Sequence, residues 1–404
     1  MIGKVALLFP GTGSQYIGMF KSQYEQYALV RETFDEVEEV LKLNLAERCF
    51  TDGFQEQLSI AYAQTAIFVC NVAAYRVYMN EVGIKPSLMA GHSLGELSAL
   101  TCAGVFRVQD AAEAVWLRGE AMEAAVPEGG GAITAIKHLS AELVQEQCKR
   151  SNAEDGTVSI ACYNSSDQIV IAGHRAAVTR VSEALRELGA QTITLNSNVP
   201  FHTSLMVSAA DRLREKLLQI QLNEPLCPVL SNVTAKPYER GSEGVIDHLA
   251  RQLTHPVRWE ETVRHMQQEG ISYAVELGPN SILKKLNRKT ARNIRAYSWD
   301  EAEDYTRIVE MQRLKPALID RCLSIAVATR NHNDDREQFE IGVVEPYKNL
   351  LRIQQECEQL GHPPSSLQMK TIYENLQSIL LVKRVDQEER EMLLLEVELI
   401  MSGI

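Results

Sequence analysis

The segment best suited to chemistry holds a serine between two glycines. Ser93 lies in Gly-His-Ser-Leu-Gly, residues 91–95, which fits the pattern Gly-x-Ser-x-Gly. A strand-like run precedes it at 87–90, and a helix-forming run follows at 97–103. Such a sharp strand-to-helix turn presents a nucleophilic serine at a helix N-terminus, where amide dipoles stabilise negative charge. The same pattern also fits an ordinary turn between a strand and a helix.

A serine nucleophile requires a general base, and His202 is the candidate. Pro200 fixes the backbone just before it, in the segment Val-Pro-Phe-His-Thr. His92, next to the serine in sequence, is a rival, although neighbours on a sharp turn rarely point at each other. A loop histidine is also commonly a surface residue, so the spacing alone leaves the assignment open.

Arg118 is the candidate for binding an anionic substrate. It lies in a largely apolar, helix-forming segment, residues 113–120. If it reaches a pocket, its planar guanidinium can bind a carboxylate through two parallel hydrogen bonds, which a lysine cannot reproduce. The alternative is a solvated charge whose aliphatic stem covers the core.

The elements that would position these residues indicate an α/β domain. Residues 5–9, Val-Ala-Leu-Leu-Phe, predict a buried strand, and the Gly-rich segment 10–15 predicts a tight turn. Such a turn after a parallel strand is a common ligand site, although it also fits a plain turn. Further apolar pieces lie at 228–230 and 273–277. We predict a large α/β domain formed by residues 1–128 and 199–300.

Residues 129–198 have a different pattern and predict a small inserted domain. Four strand-like runs and two amphipathic helical runs alternate in the order β-α-β-β-α-β, which is the ferredoxin-like arrangement. The strand-like runs are 132–136, 158–162, 168–172 and 191–195, and the helical runs are 140–150 and 174–188.

Residues 305–404 predict a helical C-terminal extension. Its helical runs are 308–328, 346–360 and 367–401, with apolar spacing that suits buried faces. We favour helices packed on the large domain over a docking surface for a carrier or ketosynthase domain. Apolar faces at helical spacing usually belong to a core.

Composition narrows the class of protein. Of 404 residues, 45% are apolar and 23% charged, which excludes disorder as the main state. The net charge of −12 disfavours nucleic acid and anionic membranes as partners. No apolar run approaches the roughly 18 residues of a membrane span, and the N-terminus lacks a secretory signal pattern. The eight cysteines include no Cys-x-x-Cys pair, which predicts reduced thiols in a cytoplasmic protein without a disulfide frame or a metal site.

Eight segments in order resemble the malonyl-CoA:acyl carrier protein transacylase family, over about residues 3–298. They are Phe-Pro-Gly-Thr-Gly-Ser-Gln at 9–15, Ala-Gln-Thr-Ala at 63–66, Gly-His-Ser-Leu-Gly-Glu at 91–96, Arg-Gly at 118–119, Asn164 with Gln168, Pro-Phe-His-Thr at 200–203, His-Pro-Val-Arg-Trp at 255–259 and Glu-Leu-Gly-Pro at 276–279. The resemblance implies an α/β-hydrolase-like core with a ferredoxin-like insert. With its helical tail, the chain looks most similar to stand-alone acyltransferases encoded with Bacillus lipopeptide synthetases of the mycosubtilin, iturin and bacillomycin kind.

The resemblance also implies roles for individual residues. Ser93 would be the nucleophile and His202 the general base, oriented by a backbone carbonyl that we expect at Arg258. Arg118 would bind the malonyl carboxylate. The oxyanion hole would be formed by the amides of Thr12 and Leu94. Four further residues are expected to support the site: Gln64, His92, Asn164 and Phe201.

The implied substrate is malonyl-CoA, and no cofactor is bound. The implied partner is an acyl carrier protein domain of a polyketide or hybrid peptide–polyketide synthase, which carries the accepting phosphopantetheine thiol. Phe201 would limit the room for an α-substituent on the extender unit. Thr12 stands where most family members carry Gln, which leaves the pocket shape and the choice of a malonyl or substituted malonyl unit open.

Three other functions compete with this prediction. An editing acyl hydrolase would use Ser93 and His202 but pass the acyl group to water, and Arg118 speaks against it. A non-catalytic docking protein would leave Ser93, His202 and Arg118 without a role. A small-molecule serine esterase would leave the arginine unexplained.

Overall fold

A computed structural model describes residues 4–50, 59–127, 129–152, 156–239, 241–360 and 364–402. The chain divides into two units, one formed by Lys4–Asp304 and the other by the segment from Tyr305 onward. The strands are β1 (Lys4–Phe9), β2 (Leu88–Gly91), β3 (Gly131–Lys137), β4 (Val158–Ser165), β5 (Gln168–His174), β6 (Gln191–Thr194), β7 (Val229–Leu230), β8 (Ile271–Glu276) and β9 (Arg295–Ser298).

The helices of the first unit lie before, between and after these strands along the chain. They are α1 (Lys21–Gln26), α2 (Ala28–Leu41), α3 (Leu45–Phe50), α4 (Ile60–Glu81), α5 (Leu94–Cys102), α6 (Val108–Ala124), α7 (Ala141–Ser151), α8 (Arg175–Glu187), α9 (Val207–Leu217), α10 (Ser242–Gln252), α11 (Trp259–Gln268) and α12 (Ile282–Thr290). A single 3₁₀ turn, Ser204–Met206, precedes α9.

The larger sheet is parallel throughout and has the order β7-β2-β1-β8-β9. β1 is buried from Val5 to Phe9, as expected for a strand covered by helices on both faces of a parallel sheet. The runs predicted at 5–9, 87–90, 228–230 and 273–277 correspond to β1, β2, β7 and β8. The sequence analysis missed β9, because its Arg-Ala-Tyr-Ser segment is short and half polar.

The smaller sheet is antiparallel and has the order β4-β5-β3-β6. Its elements follow one another as β3-α7-β4-β5-α8-β6, which is the succession predicted from the sequence. The Ser140 hydroxyl caps α7 by accepting a hydrogen bond from the Leu143 amide. Gly131 begins β3, where a side chain would lie 2.3 Å from the Asn198 carbonyl oxygen.

Val257 extends the small sheet beside β4, and the next residue, Arg258, donates its amide to the Asn232 carbonyl, after β7 of the larger sheet, at 3.0 Å. The Val257 amide donates to the Ala161 carbonyl at 2.9 Å, and its carbonyl accepts from the Tyr163 amide at 2.8 Å. The apolar core continues through this point from Leu8 in the parallel sheet to Ala135 in the small sheet.

The second unit is helical. It contains most of α13 (Ala302–Ala328), together with α14 (Arg336–Phe339), a π-helical stretch (Glu340–Val344), α15 (Glu345–Leu360), α16 (Ser366–Val382) and α17 (Gln387–Ser402). The apolar faces meet in a core that includes Ile325, Ile353 and Leu376. Ser365 and Gln368 form a capping box at the start of α16.

One helical prediction needs correction in this unit. The run 367–401 was expected to be a single helical stretch, but the structure divides it after Val382. Arg384 has a φ of 55°, which ends the helix in the left-handed region. Asp386 then starts α17 by accepting a hydrogen bond from the Glu388 amide at 2.9 Å.

Two further findings concern the described residues alone. None of their helices combines the length and apolar character needed to cross a membrane. They include all eight cysteines, each of which is free.

Candidate active site

The turn that carries Ser93 is as sharp as the motif predicts. Ser93 itself has a φ of 55° and a ψ of −112°, a conformation that costs a non-glycine residue energy. A side chain at Gly91 would lie 1.8 Å from the Gly95 carbonyl oxygen, and one at Gly95 would lie 2.0 Å from that of Phe9. Both motif glycines are therefore required by close backbone contacts, and Ser93 is placed immediately before the first turn of α5.

His202 is in direct contact with this serine. Its Nε2 lies 2.8 Å from the Ser93 Oγ, and its Nδ1 lies 2.7 Å from the main-chain carbonyl oxygen of Gln252. A carbonyl can only accept, so Nδ1 carries the proton and Nε2 is free to accept one from the serine. The pair is therefore in the tautomer that general-base catalysis needs.

The carbonyl that orients His202 was assigned to the wrong residue. It was expected at Arg258, but the structure gives it to Gln252, at the end of α10. The Arg258 carbonyl instead accepts hydrogen bonds from the amide and the hydroxyl of Thr262, in the first turn of α11. Its guanidinium pairs with Glu261 near the surface.

Burial keeps His202 neutral. Loss of solvent lowers the pKa of His202 to about 3, opposed by the Gln252 carbonyl and reinforced by Arg118 and His92. At neutral pH the imidazole is therefore an unprotonated base. The proton that it takes from Ser93 would create a cation in a poorly solvated site, which favours rapid return of that proton to a leaving group.

Arg118 reaches the same point from α6 and is completely buried. Its Nη2 donates to the Ser93 Oγ at 3.1 Å and to the Gln252 Oε1 at 3.0 Å, and its Nη1 donates to the Gln64 Oε1 at 2.6 Å. Burial lowers the pKa of Arg118 to about 10, with Glu96 opposing the shift. The guanidinium is thus charged at neutral pH, and it is held by neutral amides at the nucleophile.

The guanidinium also retains unused hydrogen-bonding capacity. Within the described part of the chain, the buried Arg118 Nε has no hydrogen-bond partner, and the guanidinium donates to the neutral side chains of Gln64, Ser93 and Gln252. A buried cation without an anion in direct contact is costly. The arrangement is suited to a substrate that brings its own carboxylate.

His92 has a different neighbour from the one a rival base would need. Its Nε2 lies 2.8 Å from the Asn164 Oδ1, and the Asn164 amide nitrogen donates to the Gln168 Oε1 at 3.1 Å. Asn164 and Gln168 belong to β4 and β5 of the small sheet. The structure therefore brings together the pair noted in the sequence and directs His92 at the small sheet rather than at the serine.

A cleft of about 390 Å³ leads to Ser93 and His202 between the two sheets. Thr12 and Phe201 line it near the serine, and Leu94, which begins α5, follows the nucleophile. The outer part is apolar and lined by residues of the small sheet and of α12, among them Ile133, Val170, Ile282 and Leu286. Its size and lining suit a slender, uncharged arm ending at a reactive carbonyl.

Two residues that the sequence analysis missed hold the site together. The Asn232 Oδ1 accepts a hydrogen bond from the Ser93 amide, and its Nδ2 donates to the Gly91 carbonyl, each at 2.7 Å. The Gln252 side chain contacts Arg118 and donates to the Ser93 carbonyl at 2.9 Å. Neither lies in a recognisable motif, although Gln252 is three residues before the quoted segment 255–259.

These features define a class of enzyme. A strained serine, a neutral histidine on a main-chain carbonyl and a buried arginine at the nucleophile are what an acyl-serine enzyme for anionic acyl groups requires. The fold places all three at the carboxyl end of a parallel sheet.

Comparison with known proteins agrees with this class. The acyl transferase domain model matches residues 6–334. A malonyl CoA-acyl carrier protein transacylase of Bacillus subtilis is 36% identical over 345 residues, 84% of this chain and 86% of that protein. Its counterpart in Haemophilus influenzae is 41% identical over 311 residues, 76% of this chain and 98% of that protein.

A solved structure gives the same result. A type II polyketide synthase acyl carrier protein has been solved in complex with its malonyl transacylase, and the match to this structure has a TM-score of 0.73 at 37% identity. It covers 76% of this chain and 99% of the matched chain. The chain belongs to the acyl transferase family that includes the malonyl CoA-acyl carrier protein transacylases.

Proposed function

We propose that Ser93, His202 and Arg118 together transfer a malonyl group from malonyl-CoA to the phosphopantetheine thiol of an acyl carrier protein. The enzyme is a malonyl-CoA:acyl carrier protein transacylase, as are curated relatives that are 34–41% identical to it over 286–345 residues. One observation carries the assignment of residues. A buried guanidinium, unpaired with any described carboxylate, donates to the nucleophile that His202 activates.

In the first half-reaction, His202 accepts the Ser93 proton through Nε2 while the serine oxygen attacks the thioester carbonyl. The negative charge that develops on the carbonyl oxygen would be stabilised by the amides of Thr12 and Leu94. A well-placed donor in such a site contributes about 3–4 kcal/mol. The tetrahedral intermediate then collapses, the C–S bond breaks, and His202 returns the proton to the departing coenzyme A thiolate.

The second half-reaction reverses these steps with another thiol. The phosphopantetheine arm of the carrier protein enters the cleft, His202 takes the thiol proton, and the sulfur attacks the malonyl ester. Collapse breaks the C–O bond and returns the proton to Ser93. The transfer follows ping-pong kinetics and needs no cofactor, because the serine and the histidine supply the covalent and proton-transfer chemistry.

Arg118 provides selectivity for a carboxylate. A malonyl group places its carboxylate against the guanidinium, whereas an acetyl group leaves the buried cation unpaired, which is costly. The same residue argues against an editing hydrolase of uncharged acyl chains. Phe201, which lines the cleft beside His202, restricts the room for an α-substituent and favours malonyl over a substituted extender unit.

We further propose a polyketide or hybrid peptide–polyketide synthase as the setting, served in trans. The ground for this proposal is the resemblance of the sequence, helical tail included, to stand-alone acyltransferases of Bacillus lipopeptide synthetases. One structural relative is also the transacylase of a type II polyketide synthase acyl carrier protein. The eight free cysteines suit a cytoplasmic location.

We assign an α/β-hydrolase-like core and a ferredoxin-like insert, of about residues 129–198, to the first unit. The β-α-β-β-α-β succession and the sheet order β4-β5-β3-β6 support the second label. We propose a structural role rather than a docking role for the tail from residue 305. Its apolar faces meet in a core within the tail itself, and its packing on the large domain stays a prediction.

The test is intact-protein mass after brief exposure to malonyl-CoA, with acetyl-CoA in parallel. We expect a malonyl-sized adduct that is absent in Ser93→Ala and transfers to an added carrier protein. Arg118→Ala should lower malonyl loading by about 100-fold relative to acetyl loading, because it removes the buried partner of the carboxylate. Release of free malonate without a transferable adduct would instead favour the hydrolase.

A further inference from the structure

Glu96 lies in the motif that carries Ser93, three residues further along α5, and no step of the transfer uses it. Its side chain is completely buried. The Glu96 Oε1 accepts hydrogen bonds from the Asn232 amide at 3.0 Å and from the Tyr238 hydroxyl at 2.6 Å, and its Oε2 accepts one from the Gln252 side-chain amide. A carboxylate that collects three donors in the core beneath the nucleophile requires an explanation.

The chemistry of these partners favours the ionised form. An ionised carboxylate only accepts hydrogen bonds, and two of the groups directed at Glu96, the main-chain amide of Asn232 and the side-chain nitrogen of Gln252, can only donate. A protonated Glu96 would find an acceptor in the Tyr238 hydroxyl alone among these three, and that hydroxyl would then no longer donate to it. The site is therefore arranged for a negative charge, which also lies close enough to Arg118 to oppose the shift of its pKa.

The orientation of Gln252 depends on this carboxylate. The two ends of an amide side chain have nearly the same shape, so its partners decide which end points where. Glu96 and the Ser93 carbonyl both accept from the Nε2 end, and the Oε1 end therefore accepts the hydrogen bond from Arg118 at 3.0 Å. The main-chain carbonyl of the same Gln252 holds His202.

We propose that Glu96 is a positioning residue, whose ionised carboxylate orients the Gln252 amide so that the amide oxygen holds Arg118 at Ser93 for the malonyl carboxylate. The proposal rests on the malonyl transfer described above. The proposal predicts that loss of the Glu96 charge lowers the rate of Ser93 acylation by malonyl-CoA more than the rate by acetyl-CoA. The acetyl group has no carboxylate for the Arg118 guanidinium to bind.

Glu96→Gln tests this with almost no change in shape. To keep accepting from Asn232 and Tyr238, the new amide must turn its nitrogen toward the Gln252 nitrogen. Gln252 then either reverses, which breaks its hydrogen bond to the Ser93 carbonyl and turns its nitrogen toward Arg118, or keeps its nitrogen facing the new amide nitrogen. In both cases two donors face each other. We expect kcat/KM for Ser93 acylation by malonyl-CoA to fall about 10- to 100-fold, and the value for acetyl-CoA to change less than about threefold.

The dependence on pH gives a second measurement that a merely structural role would not move. Burial raises the pKa of Glu96 to about 7, against the opposing hydrogen bonds from Tyr238, Asn232, Gln252 and Ser231. The malonyl-to-acetyl ratio of wild type should therefore fall as the pH is lowered from 8 to 6, as the carboxylate is protonated. In Glu96→Gln the ratio should stay constant. Measuring only the acylation step avoids the ionisation of the accepting thiol.

The other titratable groups around this network also have shifted pKa values. They are Arg118, lowered to about 10, His202, lowered to about 3, Tyr238, raised well above its ordinary value, and His92 and His248, both lowered from 6.5. His248 packs against the Tyr238 ring, at a centroid distance of 5.4 Å. Burial is the largest cause of each shift.

Two further variants complete the test. Glu120→Gln removes the same charge from an exposed position on α6 and should leave the ratio unchanged. Tyr238→Phe removes one donor, which should raise the Glu96 pKa and move the midpoint of the ratio to higher pH. This second variant decides the question if Glu96→Gln does not fold.

The outcomes distinguish a failure of the proposed malonyl transfer from a failure of the positioning role of Glu96. If wild type forms no malonyl adduct, the proposed transfer itself fails. If wild type is loaded and Glu96→Gln loses malonyl and acetyl loading equally, the positioning role is overturned. An unchanged midpoint in Tyr238→Phe would overturn it as well.

Discussion

The two units of the chain bury different kinds of side chain. The first buries Arg118, Glu96 and His202 within one hydrogen-bonded network around Ser93. The described part of the second buries a core of apolar side chains with a single charged one, Lys383. Burying charge costs several kcal/mol per group unless partners compensate, whereas burying apolar surface stabilises. The comparison teaches that the first unit gives up stability for chemistry, and the second does not.

The largest effect should come from His202→Gln, which tests the catalytic side of this comparison. Removing the general base should lower the rate of Ser93 acylation by malonyl-CoA about 10²- to 10⁴-fold. The measurement is single-turnover loading followed by intact mass. The variant should still fold, because the lost group is a buried polar ring. A rate within tenfold of wild type would identify another base.

The same variant should change stability with pH in a defined direction. The pKa of His202 is lowered from 6.5 to about 3, chiefly by burial. Between these values the unfolded chain binds a proton that the folded chain does not, so wild type loses stability as pH falls below 6.5. The loss from His202 is about 2 kcal/mol between pH 6.5 and 5. Urea unfolding at pH 7 and 5 should show a smaller acid loss in His202→Gln.

Much of the first unit was predictable because its function imposes local rules. The turn around Ser93 needs glycines at fixed positions, and a parallel sheet needs strands that are apolar on both faces. Both features can therefore be recognised in short segments of the sequence. Gln252 and Asn232 were not predictable. A glutamine at the end of a helix carries no pattern, and the carbonyl that holds His202 could belong to any residue type. That is why the carbonyl was misplaced at Arg258.

The helical character of the second unit was predictable from the sequence, but the break between its last two helices was not. Apolar residues at helical spacing indicated helices and a buried face. The break at Arg384 was missed, because a positive φ is usually supplied by glycine and arginine gives no such signal. Polar hydrogen bonds to main-chain groups also leave no trace in hydropathy.

A smaller effect, of the opposite kind, is expected from Leu376→Ala in the tail. Leu376 is completely buried in the helical core, and removing three carbons there should cost about 2–5 kcal/mol of unfolding free energy. Malonyl loading per folded molecule should remain within about twofold of wild type. Denaturant unfolding followed by circular dichroism gives the first quantity, and single-turnover loading gives the second.

The exposed Leu381, on the same helix α16, is the matched control for this prediction. Leu381→Ala should change the unfolding free energy by less than about 0.5 kcal/mol. A tenfold loss of loading in folded Leu376→Ala would contradict the division of labour between the two units.

The smallest effect is expected at Lys383, the charged side chain that the described part of the second unit buries among apolar ones. The buried ammonium donates to the main-chain carbonyls of Ala326 and Thr329, at 2.6 and 2.8 Å. These carbonyls lie at the C-terminal end of α13, where helical partners are missing. Burial lowers the pKa of Lys383, so the charge itself is costly, and the two hydrogen bonds offset that cost.

Lys383→Met keeps an unbranched side chain that is one atom shorter, and it removes both the charge and the donors. We expect a net loss of about 1 kcal/mol, because two buried carbonyls lose their partner while the desolvated charge disappears. Lys370→Met, at an exposed position on α16, should change the unfolding free energy little. If Lys383→Met is at least as stable as wild type in urea, the burial of charge costs this unit more than its hydrogen bonds return. Burying a charged side chain would then lower the stability of both units. The units would differ only in how many charged side chains they bury.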